Sequence, residues 1–266
     1  MRTFRRWRVA VMAVALACGL GARLQTQAAE IRVFASNGVK AVVEALQHDA
    51  ERATGHPLKI TFNSSVGLKE RMDAGDPFDV VIVTKEMMTD LVKEGKVAAG
   101  TPAGIARSGI GVGVRQGAAK PDIRTPEAIK RTLLNAHAIS YAQDGASRTY
   151  IVDMLQRLGI EKEMKAKTIL EQGSIRSAAR VTAGDADMVL TLVSEILPIS
   201  GVELVGPLPA DLQHYVELSA GIGANARDKA AAKALVSYLA GSTVTPTLKA
   251  KGMEKPSNTG TTGEGR

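Results

Sequence analysis

Four loops in this sequence carry small polar residues where a β-like segment gives way to a helical pattern. They cover residues 36–38, 63–67, 143–148 and 171–176, and their candidate donor side chains are Ser36, Asn37, Ser64, Ser65, Ser147, Arg148, Ser174 and Arg176. The first turn of a helix has backbone N–H groups without internal partners and carries the positive end of the helix dipole, so such loops favour anions. The pattern therefore predicts a site for a compact anion that is held by donors rather than by a full set of countercharges.

An ordinary structural role is the alternative for each of these residues alone. Serine is a preferred helix N-cap, so Ser64 or Ser65 by itself indicates no more than the start of a helix. Arg148 and Arg176 are equally well explained as surface residues in ion pairs. Anion binding is favoured because the same strand, loop and helix arrangement occurs four times.

Other chemistries find little support in the sequence. The four histidines are scattered, at His48, His56, His137 and His214. None stands at helical ligand spacing to another, so neither a zinc site nor a histidine-based hydrolase is indicated. The two serines at 64 and 65 lack the G-x-S-x-G context of a nucleophile. We predict no metal and no cofactor, and candidates for a general base are only weakly marked, Asp144 and Lys85 among them.

The elements that must position the loops alternate between strands and amphipathic helices, which indicates an α/β fold whose ligands bind beyond the carboxyl ends of the strands. Residues 108–115 have glycine at every second position and predict a strand that crosses between two lobes and approaches another backbone closely. Residues 215–222 predict a long strand that returns to the first lobe. We expect lobe 1 over residues 30–112 and 220–256 and lobe 2 over residues 113–219, with two loops from each lobe facing each other as a clamp.

The first 29 residues have the three-part pattern of a secretory signal peptide. Arginines within residues 1–8 precede an apolar run over residues 9–20 that is short for a bilayer span, so a membrane anchor is less favoured. A lipoprotein attached through Cys18 ranks second. We expect export to the periplasm without stable membrane insertion of the mature chain, and a disordered Gly- and Thr-rich tail over residues 257–266.

Removal of this leader takes away most of the positive charge. Five of the 34 Lys and Arg residues lie in residues 1–29, which leaves 29 against 27 acidic residues. A net charge near +2 and an aromatic content of 3% give no support to nucleic-acid binding, which needs a basic surface and usually aromatic side chains. The single cysteine also lies in the leader, so the mature chain has no disulfide and no Cys-based metal site.

Several short motifs resemble the periplasmic molybdate-binding protein family, within the type II solute-binding proteins of ABC importers. They lie at residues 33–35, 62–65, 74–80, 155–159, 174–176 and 251–253, and the likeness covers nearly all of residues 30–256. The resemblance implies a periplasmic-binding-protein-like fold of two lobes, each a mostly parallel sheet flanked by helices, joined by crossing strands and closing on an oxyanion. It implies that Ser65 binds through its hydroxyl, that Ser147 and Ile175 bind through backbone N–H groups, and that an ABC permease is the partner.

Two positions depart from that family. Gly38 stands where the family usually has Ser, with Ser36 and Asn37 just before it, and Leu192 aligns with its Tyr on a late strand. The loss of two hydroxyl donors argues against molybdate itself, because oxygens of the ligand would be left without partners. Gly38 remains a predicted site residue, because the backbone N–H groups of its loop can still donate hydrogen bonds to an anion.

Two arginines point to a carboxylate-bearing ligand, because Arg pairs bidentately with carboxylates. Arg148 is one, and Arg107, just before the crossing strand, is either a second clamp or a surface residue. Aconitate isomerase, an exported enzyme, is similar to the same family, so this fold can host proton transfer on a tricarboxylate. The sequence thus predicts an exported receptor that clamps a small oxyanion or carboxylate for an ABC importer. The alternatives are a periplasmic isomerase of aconitate-like acids and, less specifically, a binding or signalling module without a transport role.

Overall fold

The computed structural model describes residues 29–257. The predicted signal peptide and tail lie outside the described residues, apart from Ala29 and Ser257. Within the described part of the chain, no helix is long and apolar enough to cross a membrane. Two large hydrophobic cores, one in each lobe, organise this part of the protein.

Lobe 1 is built around three parallel strands. Its first elements are β1 (Ile31–Ser36), α1 (Lys40–Thr54), β2 (Leu58–Asn63), α2 (Ser65–Asp73), β3 (Val80–Thr84) and α3 (Lys85–Lys93). β1 lies between β2 and β3 and pairs in parallel with both. Strands covered by helices on both faces are apolar along most of their length, as β1 and β3 are. α1 buries Val42, Val43, Leu46 and Ala50, the helical face that their spacing predicts.

Lobe 2 repeats this arrangement after a long entering strand. Its elements are β4 (Ala103–Arg115), α4 (Pro126–Asn135), β5 (Ile139–Ala142), α5 (Arg148–Arg157), α6 (Glu161–Lys165), β6 (Thr168–Glu171), α7 (Ser174–Ala183), β7 (Met188–Leu192), α8 (Val193–Ile196) and β8 (Val202–Pro207). β5 lies between β6 and β7 and pairs in parallel with both. The loops predicted to bind an anion therefore follow β1 and β2 in one lobe and β5 and β6 in the other.

Two antiparallel strands connect the lobes. β9 (Tyr215–Ile222) returns the chain to lobe 1, which α9 (Lys229–Ala240) and α10 (Thr245–Ala250) complete. β4 pairs with β9 as far as Gly109 and with β7 from Ile110 onward, so this one strand belongs to the sheets of both lobes. β9 also pairs with β3, as expected for a strand that returns to lobe 1. The predicted two-lobed α/β fold with crossing strands is confirmed.

The alternating glycines of β4 lie where lobe 2 packs tightly. A Cβ added at Gly111 would be 3.1 Å from the carbonyl oxygen of Gly206 on β8. A Cβ added at Gly113 would be 2.8 Å from the side chain of Val202. The predicted close approach of another backbone is therefore found at Gly111, whereas the nearest neighbours of Gly113 are side chains.

A buried carboxylate ties three segments of lobe 1 together. Asp79 is 2% exposed, and it accepts hydrogen bonds from Arg32 Nε at 2.9 Å, from Arg32 Nη2 at 2.8 Å and from the N–H of Arg227 at 2.9 Å. Burial alone would raise the pKa of the Asp79 carboxyl, but these donors outweigh burial and hold that pKa well below its usual range. The ion pair joins β1, the start of β3 and the segment that precedes α9.

Candidate functional site

Two of the four predicted loops, one from each lobe, line the same cavity. It has a volume of about 260 Å³, and its wall includes Asn37, Lys40, Ser174, Ile175, Ser194 and Glu195. The first two follow β1 in lobe 1, whereas the other four come from the starts of α7 and α8 in lobe 2. Polar groups from both lobes therefore meet around one partly open cavity, which is the arrangement that a clamp requires.

Asn37 is the side chain by which the first loop reaches this cavity. Ser36 is buried, and its Oγ accepts a hydrogen bond from the N–H of Gly38 at 3.4 Å. A short 3-10 turn, Asn37–Val39, then leads into α1. Ser36 thus shapes the loop, and Asn37 presents an amide to the space between the lobes.

Gly38 lies directly against lobe 2. A Cβ added to it would be 3.2 Å from Leu192 Cδ1 and 3.5 Å from Leu218 Cδ1, and both leucines are fully buried. The two positions at which the sequence departs from the family it resembles are therefore neighbours in space. An apolar contact stands where the resemblance would place hydroxyl groups.

The lobes are also joined by a hydrogen bond beside the cavity. Ser194 Oγ donates to the carbonyl oxygen of Gly38 at 2.9 Å, and both residues are buried. The N–H of Ser194 donates to Ser108 Oγ at 3.2 Å, and that hydroxyl donates to the carbonyl oxygen of Gly252 at 3.1 Å. The start of α8 is thus fixed to the first loop, to β4 and to the C-terminal segment of lobe 1.

The second loop has the capping role that any single serine predicts, together with one further contact. Ser64 Oγ accepts a hydrogen bond from the N–H of Gly67 at 3.1 Å, which makes Ser64 the N-cap of α2. Ser65 Oγ accepts from the N–H of Thr84 at 3.3 Å, which leaves the hydroxyl proton of Ser65 to donate. Neither serine is part of the cavity wall.

The third and fourth loops form one surface of lobe 2. Asp144 Oδ1 accepts a hydrogen bond from the N–H of Gly173 at 2.8 Å, which links the loop after β5 to the loop after β6. Ser147 is buried at the start of α5, and Ser174 is buried at the start of α7. Ser174 reaches the cavity, whereas Ser147 does not contribute to its wall.

The predicted arginines lie outside the cavity wall. Arg107 Nε donates to Glu254 Oε1 at 2.8 Å, and the guanidinium lies 4.4 Å from the ring centre of Tyr215. Arg107 already has a carboxylate partner, so a ligand would have to displace Glu254 to use it as a clamp. Arg148 is exposed, and its Nη1 donates to the carbonyl oxygen of Gln143 at 3.1 Å. Arg176 is exposed on the first turn of α7.

The two side chains that the sequence weakly marked as bases both have structural partners. Lys85 Nζ donates to Glu217 Oε2 at 2.9 Å, and this hydrogen bond raises the pKa of Lys85, which keeps it protonated. Asp144 is occupied by the N–H of Gly173. Across residues 29–257, no group of three or more His, Cys, Asp or Glu side chains is arranged to hold a metal ion.

Glu195 is one of the cavity-wall residues that the sequence analysis missed, together with Lys40, Glu44 and Ser194. Its carboxyl group lies at the cavity, where the hydroxyl of Thr191 donates to Oε2 and the hydroxyl of Ser174 and the backbone of Leu192 provide further hydrogen bonds. Burial raises the pKa of the Glu195 carboxyl, these donors oppose the rise, and the charge of Asp144 adds to it. Glu195 follows the third parallel strand of lobe 2, so the rule that located the four loops would also have found it.

Comparisons with known proteins agree with this geometry. The family described as bacterial extracellular solute-binding protein matches residues 31–254. The aconitate isomerase of a Pseudomonas species is 29% identical to this chain over 230 residues, which cover 84% of the chain and 87% of that protein. The molybdate-binding protein ModA of Azotobacter vinelandii is 28% identical over 250 residues, which cover 91% of the chain and 96% of that protein.

A solved structure shares the fold. The periplasmic molybdate-binding protein of Azotobacter vinelandii has a TM-score of 0.72 with this structure at 19% identity, over 85% of this chain and 100% of that one. At this identity the likeness concerns the fold alone. The family match, however, extends from the first strand to the segment that pairs with β4. The chain therefore belongs to the bacterial extracellular solute-binding protein family.

Proposed function

We propose that this protein is an exported receptor that binds a small organic acid anion between its lobes and delivers it to an ABC permease. The supporting observation is a cavity to which lobe 1 contributes Asn37 and lobe 2 contributes Ser174 and Ile175. Closure of two lobes around such a cavity surrounds a ligand with donors from both sides. The leader pattern of residues 1–29 supports a periplasmic location.

The proposed ligand contacts come from all four loops. The hydroxyl of Ser65 and the backbone N–H groups of Ser147 and Ile175 are assigned by the resemblance to the molybdate-binding family, and of these three residues only Ile175 is part of the cavity wall. The amide of Asn37 and the hydroxyl of Ser174 are added because both side chains line the cavity. Most of these donors are neutral, and they lie at helix starts where the helix dipole favours negative charge.

The balance of polar and apolar surface favours an organic acid over a tetrahedral oxyanion. Gly38 and the fully buried Leu192 form an apolar contact at the first loop, where the resemblance would place hydroxyl groups. Val66 and Ile175, which directly follow the serines of their loops, are 48% and 65% exposed. Apolar side chains beside hydroxyls suit a ligand with a carbon skeleton, whereas an oxyanion presents oxygens on all sides and needs donors around its whole surface.

Isothermal titration calorimetry of the mature protein tests this proposal. The panel is cis-aconitate, trans-aconitate, citrate, molybdate, tungstate and sulfate. We expect one or more of the organic acids to bind at least about tenfold more tightly than molybdate, a difference of about 1.4 kcal/mol. Ser174→Ala should weaken that binding, and Ser237→Ala, an exposed serine on α9, is the matched control. Tight binding of molybdate with no binding of organic acids would overturn the assignment of the ligand class.

A second candidate, a periplasmic isomerase of aconitate-like acids, is favoured by one observation. Glu195 places a titratable carboxyl group in the cavity, and a relative named aconitate isomerase is 29% identical to this chain. Interconversion of cis- and trans-aconitate removes a proton from the methylene carbon and returns one to the vinyl carbon, while the double bond shifts between them. One carboxylate can carry that proton in both directions.

Proton NMR in D₂O separates the receptor from the isomerase. The mature protein is added to trans-aconitate at a catalytic concentration, and the appearance of cis-aconitate and of deuterium at carbon is followed. A pure receptor binds the acid and leaves its isotopic composition unchanged. Interconversion that is abolished in Glu195→Gln and retained in Glu163→Gln, which changes an exposed carboxyl on α6, would assign the isomerase activity and reject the pure receptor.

A further inference from the structure

Glu195 has no cationic partner where one would be expected. Glu195 is half-buried, and a carboxyl group that is partly removed from water is normally paired with Arg or Lys, because an isolated charge there is costly. The described residues give Glu195 hydrogen bonds from Thr191 and Ser174, and no salt bridge. By contrast, the buried Asp79 of lobe 1 is paired with both Arg32 and Arg227. Glu195 therefore retains its charge less easily than Asp79 does.

The charged groups around Glu195 do not replace a partner. Lys40 lies on the same cavity wall but pairs with Glu44, one helical turn away, at 3.8 Å. Asp144 faces Glu195 from the loop after β5 and disfavours its ionised form. On the elements packed against α8, Arg107 pairs with Glu254 on β4, Arg180 with Glu171 and Asp185 on α7, and Glu203 with Lys120 on β8. Arg115 on β4 and Arg176 on α7 have no salt bridge among the described residues, and both are exposed to solvent.

The position of Glu195 makes this missing partner relevant to the ligand. Its carboxyl group lies in the cavity with Asn37 of lobe 1 and Ser174 of lobe 2. An ionised carboxylate there would repel a bound anion, whereas a carboxylic acid is an O–H donor to it. An anion that enters the cavity further destabilises the ionised carboxylate of Glu195. Anion binding therefore favours protonation of Glu195, and protonation favours anion binding.

We propose that Glu195 takes up one proton when an anion binds, and that its carboxylic acid form donates an O–H hydrogen bond to an oxygen of that anion. This inference rests on the proposed function, because it requires an anion between the lobes. It adds a specificity device to that function: the site senses pH and selects ligands that accept a hydrogen bond at this wall. Among the described residues of the cavity wall, the other titratable side chains are Lys40 and Glu44, and these two pair with each other.

The proton count on binding tests the proposal. Calorimetric titration of trans-aconitate is carried out in two buffers of different ionisation enthalpy, between about pH 6 and 9, where the carboxyl groups of the probe are ionised. We expect uptake that approaches one proton and an affinity that falls by up to about tenfold per pH unit above the pKa of Glu195 in the free protein. Glu195→Gln should still bind, because the amide also donates a hydrogen bond, but without proton uptake and with a flat pH profile.

Glu163→Gln is the control, since this carboxyl is exposed on α6 and lies outside the cavity wall. It should keep both the uptake and the pH dependence. The wild-type carboxyl signal of Glu195, identified by ¹³C NMR as the one missing from Glu195→Gln, should titrate above the ordinary range of Glu, which is a readout that does not depend on how well the variant folds. Unchanged uptake in Glu195→Gln, or binding without uptake in the wild type, would overturn the proposal while leaving the receptor function intact. Absence of heat with every acid and oxyanion would instead remove the receptor function and this inference with it.

Discussion

Gly38 and Leu192 meet across the cleft, with the position of a Gly38 Cβ only 3.2 Å from Leu192 Cδ1. Glycine at 38 and leucine at 192 are complementary, because the missing side chain of one leaves room for the methyl groups of the other. The resemblance to the molybdate-binding family assigns Ser and Tyr to these positions. The two replacements therefore act together, because they exchange two neighbouring hydroxyl donors for one apolar contact.

Restoring the two hydroxyls should restore oxyanion binding. In the double variant Gly38→Ser/Leu192→Tyr, we expect affinity for molybdate to rise by at least about tenfold, because each restored donor is worth about 1 kcal/mol to the bound oxyanion. Calorimetry with molybdate and trans-aconitate measures the change. Gly38→Ser/Leu192→Phe has nearly the same volume but lacks one hydroxyl, and an equal gain in that variant would contradict the hydroxyl explanation.

The bond from Ser194 to Gly38 should hold the lobes together in the free protein. Ser194→Ala removes the donor and leaves the buried carbonyl of Gly38 without it, so we expect a loss of about 1 to 2 kcal/mol of unfolding free energy. Small-angle X-ray scattering should report a larger radius of gyration without ligand, since the interlobe contact is weakened. Ser200→Ala, an exposed serine after α8, is the control. An unchanged radius in Ser194→Ala would show that other contacts set the lobe angle.

The two arginines that the sequence singled out should behave differently. Arg148 is exposed and has no carboxylate partner among the described residues, so Arg148→Gln should weaken binding of a tricarboxylate by about tenfold through the loss of a charge-assisted hydrogen bond. Arg107 is paired with Glu254, so Arg107→Gln should leave affinity within about twofold. Calorimetry with trans-aconitate compares them. A larger loss of affinity in Arg107→Gln than in Arg148→Gln would indicate that Arg107, and not Arg148, binds the carboxylate of the ligand.

Asp79 should dominate the stability of lobe 1. Asp79→Asn removes the charge that neutralises the partly buried Arg32, and we expect a loss of about 3 kcal/mol of unfolding free energy. Asp76→Asn breaks an ion pair with Arg71 in which both side chains are at least 40% exposed, and it should cost less than about 1 kcal/mol. Urea unfolding of the two variants gives the comparison. Equal losses would mean that burial of Asp79 is not the cause.

The cost of Asp79→Asn should also depend on pH. The pKa of the Asp79 carboxyl is lower in the folded state than in the unfolded chain, so its contribution is fully present above the unfolded value of about 3.9 and is lost as pH falls toward the folded value. The difference in unfolding free energy between wild type and Asp79→Asn should therefore shrink below about pH 4. Urea midpoints measured from neutral pH downward test this, and a constant difference would contradict the role of the charge.

The positions of the four loops after their strands could be predicted from local pattern. Each polar loop lies between an apolar strand and an amphipathic helix that are both visible in the sequence. The carboxyl ends of parallel strands lie at the same edge of a sheet. The Gly-rich segment likewise predicted β4, because its glycines stand at the strand period. These features depend on residues close to one another in the chain.

The partners of individual side chains could not be predicted in this way. Arg107 meets Glu254, and Asn37 shares a cavity with Ser174, through contacts that only the three-dimensional arrangement of the lobes creates. Glu195 escaped notice because α8 has only four residues and shows no helical periodicity. A site that assembles from both lobes depends on the angle between them, which leaves no local trace in the sequence.

β4 also has a consequence for how this protein folds. Because its first half completes one sheet and its second half completes the other, neither lobe has all its strands when separated from its neighbour. A fragment cut near Gly109 would expose an unpaired sheet edge on each side, with the tendency to aggregate that such edges carry. The two hydrophobic cores are therefore expected to melt in a single cooperative transition.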